Sequence, residues 1–171
     1  IVAYGVKWLR FPQQAKEELH HLILGCFISL IPITTILIGL AVLPYAFPLS
    51  IGLIALGIIG QLSFAAFRVA GLWRGIHKAE AATPVMYLPT VATNFVSGTA
   101  LGYLGYSELG MLFFGAGVFS WLSLEPAILH RLRNLEPVAP AVRPAIGIQL
   151  APAFVGCSTY LTLNGGEVDL L

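Results

Sequence analysis

The stretch LILGCFISLIPITTILIGLAVLPYAFPLSIGLIALGIIGQLSFAAF, Leu22 to Phe67, runs for 46 residues without one Asp, Glu, Lys, Arg or His. As a single helix it would be about 69 Å long, more than twice the ~30 Å thickness of a bilayer's hydrocarbon. It has to double back. Pro44-Tyr45-Ala46-Phe47-Pro48 marks the place, because proline removes a helical hydrogen bond and clashes with the turn before it. Two spans result, at about 22–43 and 48–67, each near the ~20 residues needed to cross.

The rest of the chain continues this pattern, with further charge-poor spans at about 85–104, 109–129 and 144–163. None shows the two-residue alternation of a membrane β-barrel. Residues 1–171 therefore read as a single all-α integral membrane domain built of tandem helical hairpins. Composition agrees: 9 basic and 8 acidic residues make 10% charged, 57% are hydrophobic and 18 are glycine, whereas a soluble domain carries about 25% charged residues. Such a chain has too little polar surface to cover a soluble globule. An ordinary cytosolic enzyme domain and a disordered chain are excluded. A net charge of +1 also leaves no field to attract nucleic acid. The partner is a lipid bilayer.

Charges punctuate the spans. Lys7, Arg10 and Lys16 precede the first; Arg68, Arg74 and Lys78 lie between the second and third; Arg131, Arg133 and Arg143 lie between the fourth and fifth. If the chain alternates sides, all nine basic residues share one side, which the positive-inside rule makes cytoplasmic. The N-terminus of the segment is then inside and the C-terminus outside. His20, His21, His77 and His130 fall at the same boundary, while Trp8, Trp73, Tyr45, Tyr103 and Tyr106 fall where interfacial aromatics are expected. The chain opens on Ile1 and stops at Leu171 in apolar context, so it reads as a piece of a longer protein. Cys26 and Cys157 read as small core residues, not as a disulfide or metal pair.

The first, third and fifth spans each hold a proline, Pro32, Pro89 and Pro152, and most of the uncharged polar side chains. The second and fourth are plainer. The expected consequence is that the prolines free the carbonyls of Ile28, Val85 and Ile148, which hydrocarbon does not tolerate. The Pro-bearing helices then belong inside, bent at proline around a water-filled path. Its candidate lining is Ser29, Pro32, Thr35, Pro89, Thr90, Thr93, Asn94, Ser97, Gln149, Pro152 and Thr159. The competing reading, that proline and hydroxyls serve helix packing alone, suits one helix better than three in alternation. A path lined by hydroxyl and amide dipoles with a basic rim suits weak passage of anions, while freed carbonyl oxygens would favour cations, so residues alone leave the sign open.

Glu125 stands apart as an acid about two turns inside its span. It is a candidate proton site for a coupled carrier, or an ion-pair residue facing Arg68 or Arg131. No nucleophile–base pair, phosphate loop or metal-ligand spacing is present, so no catalytic residue, metal or cofactor is expected.

Several motifs together resemble one family. They are Tyr87-Leu88-Pro89-Thr90-Val91-Ala92-Thr93-Asn94-Phe95, Phe113-Phe114-Gly115-Ala116-Gly117-Val118-Phe119-Ser120-Trp121, Glu125-Pro126, Gly147-Ile148-Gln149-Leu150-Ala151-Pro152-Ala153-Phe154, Gly71-Leu72-Trp73-Arg74-Gly75 and Asn164-Gly165-Gly166-Glu167-Val168-Asp169. They resemble the TehA-like tellurite-resistance proteins, four-carbon dicarboxylate (malate) transporters and plant slow anion channels. The resemblance runs along essentially the whole chain. It implies ten helices in five hairpins around a central pore, a homotrimer in the bacterial inner membrane, and this chain as the end of helix 2 through helix 7. Pro32, Pro89 and Pro152 would then sit on inner helices 3, 5 and 7. The family's phenylalanine gate, on helix 9, would lie outside the chain. The implied activity is an anion channel or exporter for small anions, with a proton-coupled dicarboxylate carrier as the alternative.

Overall fold

The computed structural model describes residues 2–74, 82–138 and 140–167. His77, Lys78 and Asp169 lie outside them. Among the described residues there are helices and no strand. In chain order these are α1 (Val2–Arg10), α2 (Pro12–His20), α3 (Leu22–Phe27), α4 (Leu30–Val42), α5 (Phe47–Trp73), α6 (Thr93–Tyr103), α7 (Ser107–Asn134) and α8 (Ala151–Leu163). Helix α6 is preceded by a 3₁₀ segment, Pro84–Tyr87, and a π-turn, Leu88–Ala92, and α8 by a 3₁₀ segment, Pro140–Leu150.

Four helical runs are long and apolar enough to cross a membrane: Ile23–Val42, Phe47–Gly71, Ser107–Asn134 and Arg143–Leu163. A fifth run, 84–103, is about 30 Å long if helical throughout. It is more polar than the others, and within it only Tyr103 is exposed. The chain thus makes its least apolar span its most enclosed one, as expected where polar side chains must avoid hydrocarbon.

Each of the three prolines sits just after a break in the regular α-helical ladder. Pro32 follows the step between α3 and α4, Pro89 lies in the π-turn, and Pro152 is the second residue of α8 after the 3₁₀ segment. The expected free carbonyls at the first two are taken up. Ile28 O accepts from Ile31 N at 3.0 Å, and Val85 O accepts from Leu88 N. Tightening the turn before each proline to three-residue spacing supplies the donor that the ring removes. The expectation of open carbonyls at Ile28 and Val85 is therefore corrected.

The helices form two layers. Helix α6 packs against α4 on one side and α8 on the other, while α5 lies behind α4 and α7 behind α6 and α8. The Pro-bearing helices form the first layer and the plainer ones the second. Ile36, Ile54 and Ala100 join α4, α5 and α6 in one buried cluster, and Tyr87, Val91, Phe95 and Ile128 form another. Glycine sets the α4–α5 distance. A Cβ at Gly57 would stand 2.5 Å from Ile36 Cγ1 and 3.0 Å from the Pro32 carbonyl, whereas at Gly52 it would meet nothing. Gly57→Ala is accordingly expected to cost about 1–3 kcal/mol by overpacking. Gly52→Ala is the neutral control, and thermal unfolding in detergent reads the difference.

Candidate functional site

The most developed polar site gathers around Glu125 of α7. Its Oε2 accepts from Trp121 Nε1, one turn earlier on the same helix, at 2.8 Å, and its Oε1 accepts from Gln149 Nε2 at 2.6 Å. Tyr87 OH also donates to Oε2. An ionised carboxylate offers about four acceptor sites, and neutral donors fill three of them. The arginines expected as partners are engaged elsewhere: Arg68 donates to Leu19 O and to Cys26 Sγ, both at 3.4 Å, and Arg131 to Glu136 O at 2.7 Å. Glu125 is thus a hydrogen-bonded carboxylate, not half of a salt bridge with either.

Local structure explains why these four residues meet. Tyr87 ends the 3₁₀ segment before Pro89, and Gln149 lies in the 3₁₀ segment three residues before Pro152. Both interruptions thereby aim a side chain at the same level of α7. Tyr87 is 1% exposed and anchors the second core cluster. The carboxylate ties the approach segments of two inner helices, α6 and α8, to the outer helix behind them.

The candidate lining residues divide into two groups. Ser29, Thr93, Ser97 and Thr159 have no exposure at all, and Pro89 and Pro152 are buried. Pro32, Thr35, Thr90, Asn94 and Gln149 are half-buried. Thr159 Oγ1 lies 2.9 Å from Thr99 Oγ1 and 3.1 Å from the Phe95 carbonyl, so it cements the α6–α8 contact. Ser29 Oγ donates to Cys26 O at 2.6 Å, and Thr93 Oγ1 to Pro89 O at 2.9 Å. Ser29, Thr93, Ser97 and Thr159 are packed between helices of this chain. The reason is rotational. Phe95 and Thr99 face α8, while Val96, Ala100 and Leu104 face α4 and α5. The face between those directions carries Ala92 of the π-turn and Tyr103 of α6, flanked by Val96 and Thr99, and Ser97 points about a third of a turn away. A shallow pocket opens between Leu88, Ala92, Ile148, Ala151 and Val155 on that side.

Sequence reasoning missed Tyr87 and Trp121 as site residues. Trp121 was within reach, since it stands four residues before Glu125 on one helical face. Tyr87 carried no such signal, because its partner is 38 residues away. Cys26 is buried, with its Sγ accepting from Arg68, and Cys157 is exposed.

Two layers of apolar helices, one of them interrupted beside its prolines, define an all-helical, multi-pass membrane protein. Residues 1–170 match the family model of SLAC1, the voltage-dependent anion channel family, and the chain belongs to that family. It is 43% identical to a tellurite resistance protein TehA homolog of Haemophilus influenzae, over 100% of this chain and 52% of that protein. It is 24% identical to an uncharacterized transporter of Methanocaldococcus jannaschii over 95% of this chain and 51% of that protein. An alignment 110 positions long, which covers 58% of the chain, also shows 32% identity to 22% of a glycerol kinase of Brachyspira hyodysenteriae, a share too small to define a relationship. The chain spans about half the length of the TehA homolog and of the transporter.

Proposed function

We propose that this chain is about half of a ten-helix, trimeric anion channel or exporter, in which α4, α6 and α8 form one side of the conducting path. It acts by conduction, not by catalysis. The observation that carries this reading is the layer of three proline-interrupted helices, backed by two plainer ones, whose expected free carbonyls at Ile28 and Val85 are already hydrogen-bonded. Those oxygens, each accepting a backbone N–H, are less available to attract a cation. What remains is an apolar, hydroxyl-bearing surface with basic residues near one end, suited to weak and rapid anion passage. The interruptions beside Pro32, Pro89 and Pro152 would bend the inner helices. The nine basic residues support a cytoplasmic N-terminal side and the opposite, periplasmic side for Glu167, in a bacterial inner membrane. The TehA homolog supports tellurite or another small anion as cargo.

The test is anion flux by the protein in liposomes. Ala92→Glu, which sets a negative charge on the open face of α6, is expected to lower flux by about tenfold, equivalent to ~1.4 kcal/mol. Ala92→Lys should not lower it. Equal flux in both variants overturns the assignment of that face. A coupled carrier is the second reading, favoured by Glu125 lying where two inner helices meet α7. It requires saturable malate flux that depends on pH and fails in Glu125→Gln.

A further inference from the structure

On the side of α6 away from that open face, one buried polar group stands out. Gln61 of α5 is 1% exposed, and neither its Nε2 nor its Oε1 has a partner. Burying an amide with both ends unpaired is strongly unfavourable, and Gln61 is already enclosed by this chain's own helices.

Its position follows from the register of α5. Gly57 faces Pro32 and Ile36, and Arg68 reaches Leu19 and Cys26. Gln61 is four residues past Gly57 on the same face, so it lies at the level of Ile28 and Ser29, where α3 gives way to α4. Both α3 and α5 also pack on the π-turn Leu88–Ala92. That turn carries Thr90, whose buried Oγ1 has no partner either. Further along the same inner helix, Ser97 is 0% exposed with an unpartnered Oγ. The two sides of this seam thus carry four buried, unpaired polar atoms, on Gln61, Thr90 and Ser97.

The chemistry of those atoms selects the ligand. Gln61 needs an acceptor for its Nε2 and a donor for its Oε1, and the two hydroxyls both donate and accept. An anion accepts only and leaves Oε1 unmet. A metal ion engages oxygens only and leaves Nε2 unmet. Water does both, and buried waters typically bridge about three otherwise unsatisfied groups. We infer that Gln61 holds ordered water in the seam between α5 and the start of the inner helix, beside the α3–α4 step and the π-turn. This water is structural: it fills the interval between regular α5 and the two interrupted stretches that face it, and it lies outside the anion path.

A structure of the protein in lipid nanodiscs, at a resolution that shows ordered solvent, tests this directly. The expected result is density about 2.7–3.2 Å from Gln61 Oε1 and Nε2. Direct bonding of that amide to protein groups, or no density beside it, overturns the inference. Bromide in place of chloride separates the sources of density: anomalous signal at Gln61 means an anion and also overturns it. Thermal unfolding gives a second readout. In a hydrated seam Gln61→Leu strands the water and lowers the midpoint, whereas in a dry seam it removes an unpaired amide and raises it. A raised midpoint counts against the inference.

Discussion

Glu125→Ala is expected to lower the stability of the protein by about 3 kcal/mol. The carboxylate accepts from Tyr87, Trp121 and Gln149, and hydrogen bonds to a charged group are worth roughly 1.5–3 kcal/mol each, without being additive. Removing the shared acceptor leaves the Trp121 and Gln149 donors unmet and Tyr87 OH with only its longer contact to Gln149 Oε1 at 3.4 Å. Tyr87 is 1% exposed, so bulk solvent does not replace its lost bond to the carboxylate. Glu125→Gln keeps the shape but places an NH₂ against a donor, so a smaller loss of about half that size follows. A double-mutant cycle with Tyr87→Phe, read by thermal unfolding in detergent, should give a clear coupling. Additive losses would mean that the carboxylate does not hold the inner-helix approach segments to α7. Flux measured on the same variants separates bracing from proton transfer, because a brace alone predicts no pH-dependent coupling to lose.

Phe95→Ala should cost still more, about 3–5 kcal/mol, the range for a buried aromatic truncated to alanine. Phe95 is 0% exposed, and its ring centroid stands 5.7 Å from that of Phe114. Two glycines shape its socket. A Cβ on Gly117 would lie 2.7 Å from the ring's Cδ1, and one on Gly156 3.2 Å from its Cζ. The ring therefore fills the space that α7 and α8 leave by carrying no side chain there, and alanine would open a cavity at the junction of three helices. Phe154→Ala is the control, since that side chain is 72% exposed and should change detergent stability by no more than about 0.5 kcal/mol. Similar losses for both variants would show that the α6–α7–α8 junction is not the core of this half.

The all-helical membrane class was legible because a charge-free run of 46 residues admits few other solutions. The alternation of Pro-bearing and plainer helices was legible too, and it became the division between the two layers. How the candidate lining residues are turned was not. Polar side chains on a membrane helix serve a path or an interface equally well, and Thr159, in contact with Phe95 and Thr99, serves an interface. Glu125 was visible as an anomaly, but its partners were not, since Gln149 lies 24 residues beyond it.

The sequence by itself determined where the chain is apolar, where it breaks and where its basic residues fall. Those are sums over neighbours along the chain, and no tertiary contact alters them. Only the tertiary structure decided which way each helix is turned, which carbonyls beside the prolines find new donors, and that Glu125 rests on neutral groups rather than arginine. Rotation about a helix axis changes no count of residues. It is fixed by how ridges, glycines and unpaired donors fit against the next helix, so it exists only once that helix is in place.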